Sequence, residues 1–280
     1  MKIDAHQHFW RLGRGDYGWL TPALAPIFRD FMPDDLAPLL ATRGLDRTIL
    51  VQAAPTSAET RFLLDIAERT PFVAGVVGWV DFEAQDAPSK IESLGRNRLL
   101  VGLRPMIHDL PDPDWLSRAD LVPAFNAMSA EGLVFDALVR PPHLTRLLEF
   151  AERHPDLSIV VDHCAKPDIA ARDFGAWRAD IAALGSRANV SCKLSGLVTE
   201  AAAAWIEDDL APVVDHVLGV FGPMRVLFGS DWPVVTLAAS YERWHDAASR
   251  LVGRLPASDR DAIFGGNAAR LYLSRRGRRQ

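Results

Sequence analysis

Eight apolar, β-rich runs recur along the chain, and amphipathic helical stretches separate most of them. The runs span residues 2–9, 48–53, 72–80, 99–106, 133–139, 158–163, 189–194 and 225–228. Each run is almost continuously apolar, as expected of parallel strands that are covered on both faces. Strand–helix alternation of this length predicts an α/β protein, a (β/α)8 TIM barrel.

The intervening stretches support this fold over an open, doubly wound sheet. Residues 56–69, 142–153 and 205–220 carry apolar side chains at helical spacing. An open sheet of this size is the alternative, but no glycine-rich phosphate loop follows the first strand. Because no Gly/Ser linker or internal repeat is present, we predict a single domain over residues 1–280. The segment 11–35, rich in Pro, Trp and Tyr, is predicted to be a long loop over the barrel mouth.

Composition excludes several classes of function. A net charge of −5 gives no basic footprint for nucleic acid, and no apolar run is long enough to span a membrane. The start of the chain lacks the apolar core of a signal peptide, so we expect a cytoplasmic protein. Cys164 and Cys192 are predicted to be inert thiols in buried strands. The arginine run at 275–279 is predicted to be a solvated tail.

Histidines and an aspartate stand at the ends of three predicted strands. His6 and His8 end the first strand, where two-residue spacing points both imidazoles the same way. His163 ends the sixth strand and Asp231 follows the eighth. Active sites of TIM barrels lie at these carboxyl ends. Three imidazoles and a carboxylate can hold one divalent ion and a water, and Asp231 can act as general base for that water.

Further polar and aromatic residues at strand ends are candidates for binding a substrate, and each has a structural alternative. Arg104 could pair with a carboxylate, Lys166 could lie in a surface loop, and Gln52 could hydrogen-bond to backbone inside the barrel. In the same way, His163 could be a satisfied core histidine, Asp231 a helix N-cap, and Lys193 the partner of an acid on a neighbouring strand. From the residues alone, His108 and His143 are undecided loop residues, while Asp162 is predicted to support the site without entering it.

The motifs as a set resemble a known family. They are residues 4–10 (DAHQHFW), 17–22 (YGWLTP), 51–53 (VQA), 75–81 (GVVGWVD), 102–105 (GLRP), 162–167 (DHCAKP), 193–197 (KLSGL), 229–233 (GSDWP) and 264–268 (FGGNA). This set, which runs almost end to end, resembles the amidohydrolase superfamily. Within it, the set is most similar to the branch of sugar lactonases that act on L-fuconolactone and L-rhamnonolactone.

The resemblance implies a TIM-barrel hydrolase. It implies that His6, His8, His163 and Asp231 are the metal ligands or the equivalent catalytic positions. Binuclear members bridge two metals with a modified lysine after strand four, where this chain has Arg104, and a guanidinium cannot take that role. We therefore expect at most one divalent ion, with zinc as the expected metal. Relatives such as the 2-pyrone-4,6-dicarboxylate lactonases work without a metal, so a metal-free site stays open.

The expected reaction is hydrolysis of a sugar-acid (aldono) lactone, such as L-fuconolactone or L-rhamnonolactone, in carbohydrate metabolism such as L-fucose degradation. Asp231 would activate the water, and His163 and Arg104 would assist the chemistry. The residues expected to bind the substrate are Gln52, Trp79, Arg104, His108, Lys166, Trp232 and Trp19. The alternatives are a metal-dependent decarboxylase of an aromatic or unsaturated acid and a metal-independent dicarboxylate lactonase. A monomer or homodimer is expected.

Overall fold

The computed structural model describes residues 1–274, so the arginine run at 275–279 lies outside the described residues. Eight parallel strands form one sheet in chain order, with each strand paired to the next. The strands are β1 (Ile3–Gln7), β2 (Arg47–Val51), β3 (Val73–Gly78), β4 (Leu100–Leu103), β5 (Val134–Ala137), β6 (Ile159–Val161), β7 (Val190–Leu194) and β8 (Val226–Phe228). All eight predicted strands are present, and the predicted TIM barrel is confirmed.

Helices connect the strands and cover the outside of the barrel. They are α1 (Pro33–Arg43), α2 (Ser57–Arg69), α3 (Ala87–Gly95), α4 (Val122–Glu131), α5 (Leu144–Arg153), α6 (Gly175–Gly185), α7 (Glu207–Phe221), α8 (Tyr241–Leu251) and α9 (Ala257–Asp261). The three helices predicted from spacing correspond to α2, α5 and α7. Thr56 caps α2, because its hydroxyl accepts the Glu59 N–H at 3.0 Å and satisfies an otherwise free donor.

The inside of the barrel is layered. Ile49, Val101, Val134, Val160 and Leu227, from five different strands, belong to one buried apolar cluster. Two residues further on from Val134 and Val160, on the same face, stand Asp136 of β5 and Asp162, which directly follows β6; both are fully buried. Lys193 of β7 lies between these two carboxylates. We call the first set the lower layer, and we call Asp136, Asp162 and Lys193 the charged layer.

Hydrogen bonds between β1 and the segment after β8 bring the ends of the barrel together. The Asp231 N–H donates to the His6 carbonyl at 2.8 Å, and the His8 N–H donates to the Trp232 carbonyl at 2.7 Å. The chains approach so closely at Gly229 that a Cβ there would lie 2.6 Å from the His6 Cβ. Only glycine fits such an approach, which explains the glycine at this position.

The long loop after β1 is present as predicted. It contains two short 3-10 turns, Leu12–Arg14 and Pro22–Ile27, and is pinned to β1 where Trp10 and Phe31 exchange backbone hydrogen bonds of 3.0 Å. Both cysteines are buried and unpaired; Cys192 lies in β7 as predicted, whereas Cys164 lies in the turn after β6 and not in a strand. Within residues 1–274, every helix is too short or too polar to cross a lipid bilayer.

Candidate active site

His6 of β1 and His8, the residue that follows the strand, point into the mouth of the barrel side by side. Their Nε2 atoms lie 3.2 Å apart. β1 ends at Gln7, one residue before His8. The His8 Nδ1 lies 2.8 Å from the Val51 carbonyl oxygen. Because a carbonyl can only accept, Nδ1 carries the proton, and the lone pair of Nε2 is left free to bind a ligand. The predicted convergence of His6 and His8 is therefore what the structure shows.

Asp231 lies among three imidazoles. Its Oδ1 is 3.2 Å from the His8 Nε2, 3.6 Å from the His6 Nε2 and 3.9 Å from the His163 Nε2. Ligands about 2.0–2.1 Å from a tetrahedral zinc lie about 3.4 Å from one another, which is close to these separations. One donor atom from each of His6, His163 and Asp231 also lies within 4.8 Å of the others. The arrangement fits one divalent ion, with His8 beside it.

Two of these residues have strained backbone conformations. His163 and Asp231 have left-handed φ angles of 53° and 59°, which residues other than glycine rarely adopt. Cys164, Ala165 and Lys166 continue the left-handed conformation. Such strain persists only where surrounding contacts impose it, and it concentrates at functional sites. Here the His163 ring is held by its Nδ1, which lies 2.8 Å from the Ser195 hydroxyl.

Burial and neighbouring charges set the protonation of the ligand candidates. Burial holds the pKa values of His6 and His163 well below the usual range for histidine. Burial alone would raise the pKa of Asp231, but the imidazoles of His163 and His8 beside it lower it. His6 and His163 are therefore neutral and Asp231 is ionised at neutral pH, which is the state that binding a metal requires.

Asp4 supports the site and was missed in the sequence analysis. Its Oδ1 accepts the N–H of Ser230 at 2.8 Å and that of His6 at 3.1 Å, while Oδ2 accepts the Tyr241 hydroxyl at 3.1 Å. Burial raises the pKa of Asp4 to about 6. One carboxyl thus fixes the backbone beside two of the ligand candidates. The signal that could have found it is an acidic residue inside an apolar strand.

The charged layer lies directly below His6. The Lys193 ammonium contacts Asp136 closely and lies 3.0 Å from the Asp162 Oδ1 and 3.2 Å from the His6 Nδ1. Lys193 thus takes its structural alternative, pairing with an acid of the neighbouring strand β6. The Tyr272 hydroxyl donates to the other oxygen of Asp136 at 2.7 Å. Asp136 and Tyr272 were missed, because neither follows a strand end in a recognisable motif.

A cavity of about 220 Å³ opens above the ligand candidates, and we call it the mouth cavity. It brings together seven of the predicted residues, namely Trp19, His8, Arg104, His108, His163, Lys166 and Asp231. The Arg104 guanidinium is held 3.3 Å from the Asp162 Oδ2 and by the Gln52 carbonyl. The Lys166 ammonium lies 2.8 Å from the Glu200 Oε1. The mouth cavity therefore joins the ligand candidates to two cationic groups.

His108 has unused hydrogen-bonding capacity in the mouth cavity. Neither of its ring nitrogens makes a well-directed hydrogen bond within the described part of the chain, although Nε2 lies 3.1 Å from the Asp109 Oδ2. Burial, together with the charges of Lys166 and Arg104, lowers its pKa to about 3. A neutral imidazole at this place can exchange hydrogen bonds with a hydroxyl group. His143 lies outside this wall, where its Nδ1 accepts the Arg140 N–H at 3.2 Å.

Three residues predicted to bind a substrate lie away from this wall. Gln52 is fully buried behind Arg104, and its Nε2 donates to the Arg104 carbonyl at 2.8 Å, which matches its structural alternative. Trp232 is buried against Phe31, with 5.2 Å between ring centroids. Trp79 lines a second cavity, of about 430 Å³, which adjoins the mouth cavity. Gln52 and Trp232 therefore contribute by holding neighbouring groups in place.

The comparisons with known proteins agree on one family. An amidohydrolase family model matches residues 3–273. A protein of Burkholderia ambifaria named L-fucono-1,5-lactonase is 48% identical over 278 residues, which cover 97% of this chain and 95% of that protein. A protein of Burkholderia multivorans with the same name is 38% identical over 97% of this chain and 96% of its own length. The crystal structure of a B. multivorans amidohydrolase with bound zinc matches with a TM-score of 0.92 at 38% identity, covering 97% of this chain and 99% of that one.

Proposed function

Since the chain belongs to the amidohydrolase family, we propose that it is a lactonase that hydrolyses a sugar-acid lactone, with L-fucono-1,5-lactone as the favoured substrate. The observation that carries this proposal is the Asp231 carboxylate, held within 3.9 Å of three imidazoles on the floor of the mouth cavity. A carboxylate in that place can take a proton from a water that attacks a carbonyl group above it.

The shape and charge of the mouth cavity favour a neutral, hydroxylated ring. Its volume of about 220 Å³ suits a single small ring, and Trp19 offers a flat face for C–H groups. The neutral His108 can bind a hydroxyl of the substrate. A dicarboxylate lactone would favour several convergent arginines, whereas Arg104 is the one arginine on this wall among the described residues.

The donor set also fits a resident metal ion. His6, His8, His163 and Asp231 would hold one divalent ion, and we propose zinc. When bound, such an ion supplies Lewis acidity towards the lactone carbonyl and lowers the pKa of nearby water. The preference for nitrogen and carboxylate ligands in four-coordinate geometry favours zinc over magnesium or calcium, which require six or more oxygen ligands.

Individual residues of the chain have separate roles in the proposed hydrolysis. Asp231 accepts the proton of the attacking water and, once protonated, returns it to the ring oxygen when the ester bond breaks. Arg104 and Lys166, on the wall of the same cavity, would stabilise the negative charge that develops on the carbonyl oxygen. His163, whose ring is held by the Ser195 hydroxyl, lies with its Nε2 3.9 Å from the Asp231 Oδ1, beside the carboxylate that accepts the proton.

The test is a panel of sugar lactones followed with a pH indicator, for the wild type and Asp231→Asn. General-base catalysis contributes 10²–10⁴-fold, so we expect Asp231→Asn to lower kcat by about 10³-fold. Asp208→Asn, at an exposed aspartate of α7, is the matched control and should retain the rate. An Asp231→Asn variant as active as the wild type would exclude the mechanism.

Other outcomes separate the alternatives. Turnover of a dicarboxylate lactone alone, or release of carbon dioxide from an aromatic acid without lactone turnover, would exclude a sugar lactonase. The same panel run on protein stripped with a chelator and checked for residual metal tests the ion. Full activity of metal-free protein would exclude a metal from the reaction, while recovery on adding back zinc would support it.

A further inference from the structure

We propose that the second cavity, called the outer cavity below, binds a neutral pyranose ring that is carried on the lactone as a glycosyl substituent. This inference rests on the proposed function for the lactone part and adds a second binding site to it. The outer cavity has a volume of about 430 Å³ and shares Trp19, Met106 and Asp109 with the mouth cavity. A ring attached to a substrate in the mouth cavity would therefore meet the outer cavity across Met106.

The aromatic wall of the outer cavity holds an unused hydrogen-bond donor. The indole N–H groups of Trp19 and Trp115 donate to the Ala53 carbonyl at 2.7 Å and to the Glu83 Oε1 at 2.9 Å. Trp79 lies between them in the sequence and is only partly buried, and its indole N–H finds no acceptor among residues 1–274. A tryptophan with one accessible face and a free donor is suited to stack on a sugar ring while donating to a hydroxyl.

The charges of the outer cavity select a neutral ligand. Asp16, Asp81, Glu83 and Asp109 line it, and no described Lys, Arg or His side chain does. These carboxylates can accept hydrogen bonds from hydroxyl groups and would repel an anion. Asp16 is already paired with Arg14, and Glu83 lies 2.9 Å from Arg118, which leaves Asp81 and Asp109 as the carboxylates that would accept hydrogen bonds from hydroxyl groups.

The contrast with the mouth cavity strengthens this assignment. Arg104 and Lys166 line the mouth cavity, where the reaction creates a carboxylate, while the outer cavity lacks both. The acid product therefore has no favourable place in the outer cavity, whereas an uncharged sugar ring does. Trp79, which was predicted from the sequence to bind substrate, takes that role here on a different part of the ligand.

The test uses methyl glycosides, which lack a lactone and cannot be hydrolysed as one. Protein labelled with 5-fluorotryptophan is titrated with the methyl pyranosides of L-fucose, D-galactose, D-glucose and D-mannose at millimolar concentrations, and its fluorine spectrum is recorded. The signals of Trp79 and Trp244 are assigned from their Trp→Phe variants. We expect at least one glycoside to shift the Trp79 signal and to leave the signal of the buried Trp244 unchanged.

Three variants test whether the sugar binds against Trp79 in the outer cavity. Trp79→Ala, followed by saturation-transfer NMR on the sugar protons, should weaken binding about tenfold, because it removes the stacking face. Phe28→Ala removes an exposed aromatic ring elsewhere and should leave binding unchanged. Asp231→Asn, which alters the mouth cavity, should also leave it unchanged.

Three results would overturn the proposal: no binding of any of the glycosides, binding that survives Trp79→Ala, or binding that Asp231→Asn abolishes. Turnover of lactones is measured separately with unsubstituted lactones. Hydrolysis of those lactones without glycoside binding would reject the outer site alone. Glycoside binding without lactone hydrolysis would reject the proposed lactonase and keep the sugar site.

Glycosyl-substituted lactones distinguish a substituent from a free sugar. If the substituent occupies the outer cavity, Trp79→Ala should raise the KM of a glycosyl lactone about tenfold relative to its unsubstituted parent. An equal change in both KM values would show that the bound sugar is not part of the substrate.

Discussion

The lower layer and the charged layer of the barrel interior stand one step apart on the same strands, yet they do opposite things. Val134 and Val160 point inwards, and the next inward residues of their strands are Asp136 and Asp162. Burying the valines stabilises the fold, whereas burying charges costs free energy that their partners must offset. This barrel therefore separates its stabilising core from the groups that support the candidate site.

Removing the cation of the charged layer should have the largest effect on stability. Lys193→Met leaves Asp136 and Asp162 buried without the ammonium that lies between them, so we expect a loss of about 3–5 kcal/mol in the free energy of unfolding. Denaturant unfolding measures the change. The double variant Lys193→Met/Asp136→Asn removes one of the stranded charges and should recover part of the loss. A Lys193→Met protein as stable as the wild type would show that the ammonium does not offset the cost of burying Asp136 and Asp162.

Glu59, whose buried carboxyl lies outside the barrel, provides the next test. Backbone N–H groups hold this carboxyl, whereas Asp136 and Asp162 contact the ammonium of Lys193. Glu59 of α2 accepts the N–H groups of Ala53 and Ala54, and burial raises its pKa from 4.5 to about 7. The folded protein then binds more protons than the unfolded chain between these two pH values. We expect the contribution of Glu59 to the free energy of unfolding to fall by about 3 kcal/mol as the pH rises from about 4.5 to 7.

Unfolding at a series of pH values checks this contribution of Glu59. Glu59→Gln should remove that part of the slope, because an amide does not titrate. Glu92→Gln, at an exposed glutamate of α3, is the control and should keep the slope of the wild type. If Glu59→Gln retained the full slope, another buried group would be responsible.

A truncation in the lower layer should have a smaller effect and leave the chemistry intact. Val160→Ala removes methyl groups from the apolar cluster, and we expect a loss of about 2 kcal/mol in the free energy of unfolding. Activity per folded molecule should stay within about twofold of the wild type, since the Val160 side chain packs in the apolar cluster of the lower layer. Denaturation and lactone assays on the same preparation measure both. A tenfold loss of activity in folded protein would show that the two layers are coupled.

The sequence predicts where the candidate site lies because the carboxyl ends of all the strands of a parallel barrel lie at the same end of the barrel. His6, His8, His163 and Asp231 converge as predicted, since they follow apolar runs whose positions identify the strands. Asp4 and Asp136 were not found, because their partners depend on which face of a strand points inwards. β1 also carries a register shift between Asp4 and Gln7, which changes that face and leaves no mark in the sequence.

The same limit applies to the aromatic residues. Trp79 and Trp232 follow strands just as the ligand candidates do, and their spacing gave both the same expectation. Only the packing distinguishes them, since Trp232 is buried against Phe31 while Trp79 faces the outer cavity. Side chains on a barrel rim are placed by loops, and the conformation of a long loop is not encoded in a local pattern.

The hydrogen bonds between β1 and the segment after β8 determine when the candidate site can form during synthesis of the chain. His8 and Asp231 are 223 residues apart in the chain, and the hydrogen bonds that join their strands also bring them together. A ribosome must therefore complete nearly the whole polypeptide before the ligand set exists. The growing chain cannot assemble this candidate site early, and binding of a ligand to His8 and Asp231 together would report that the last strand has docked.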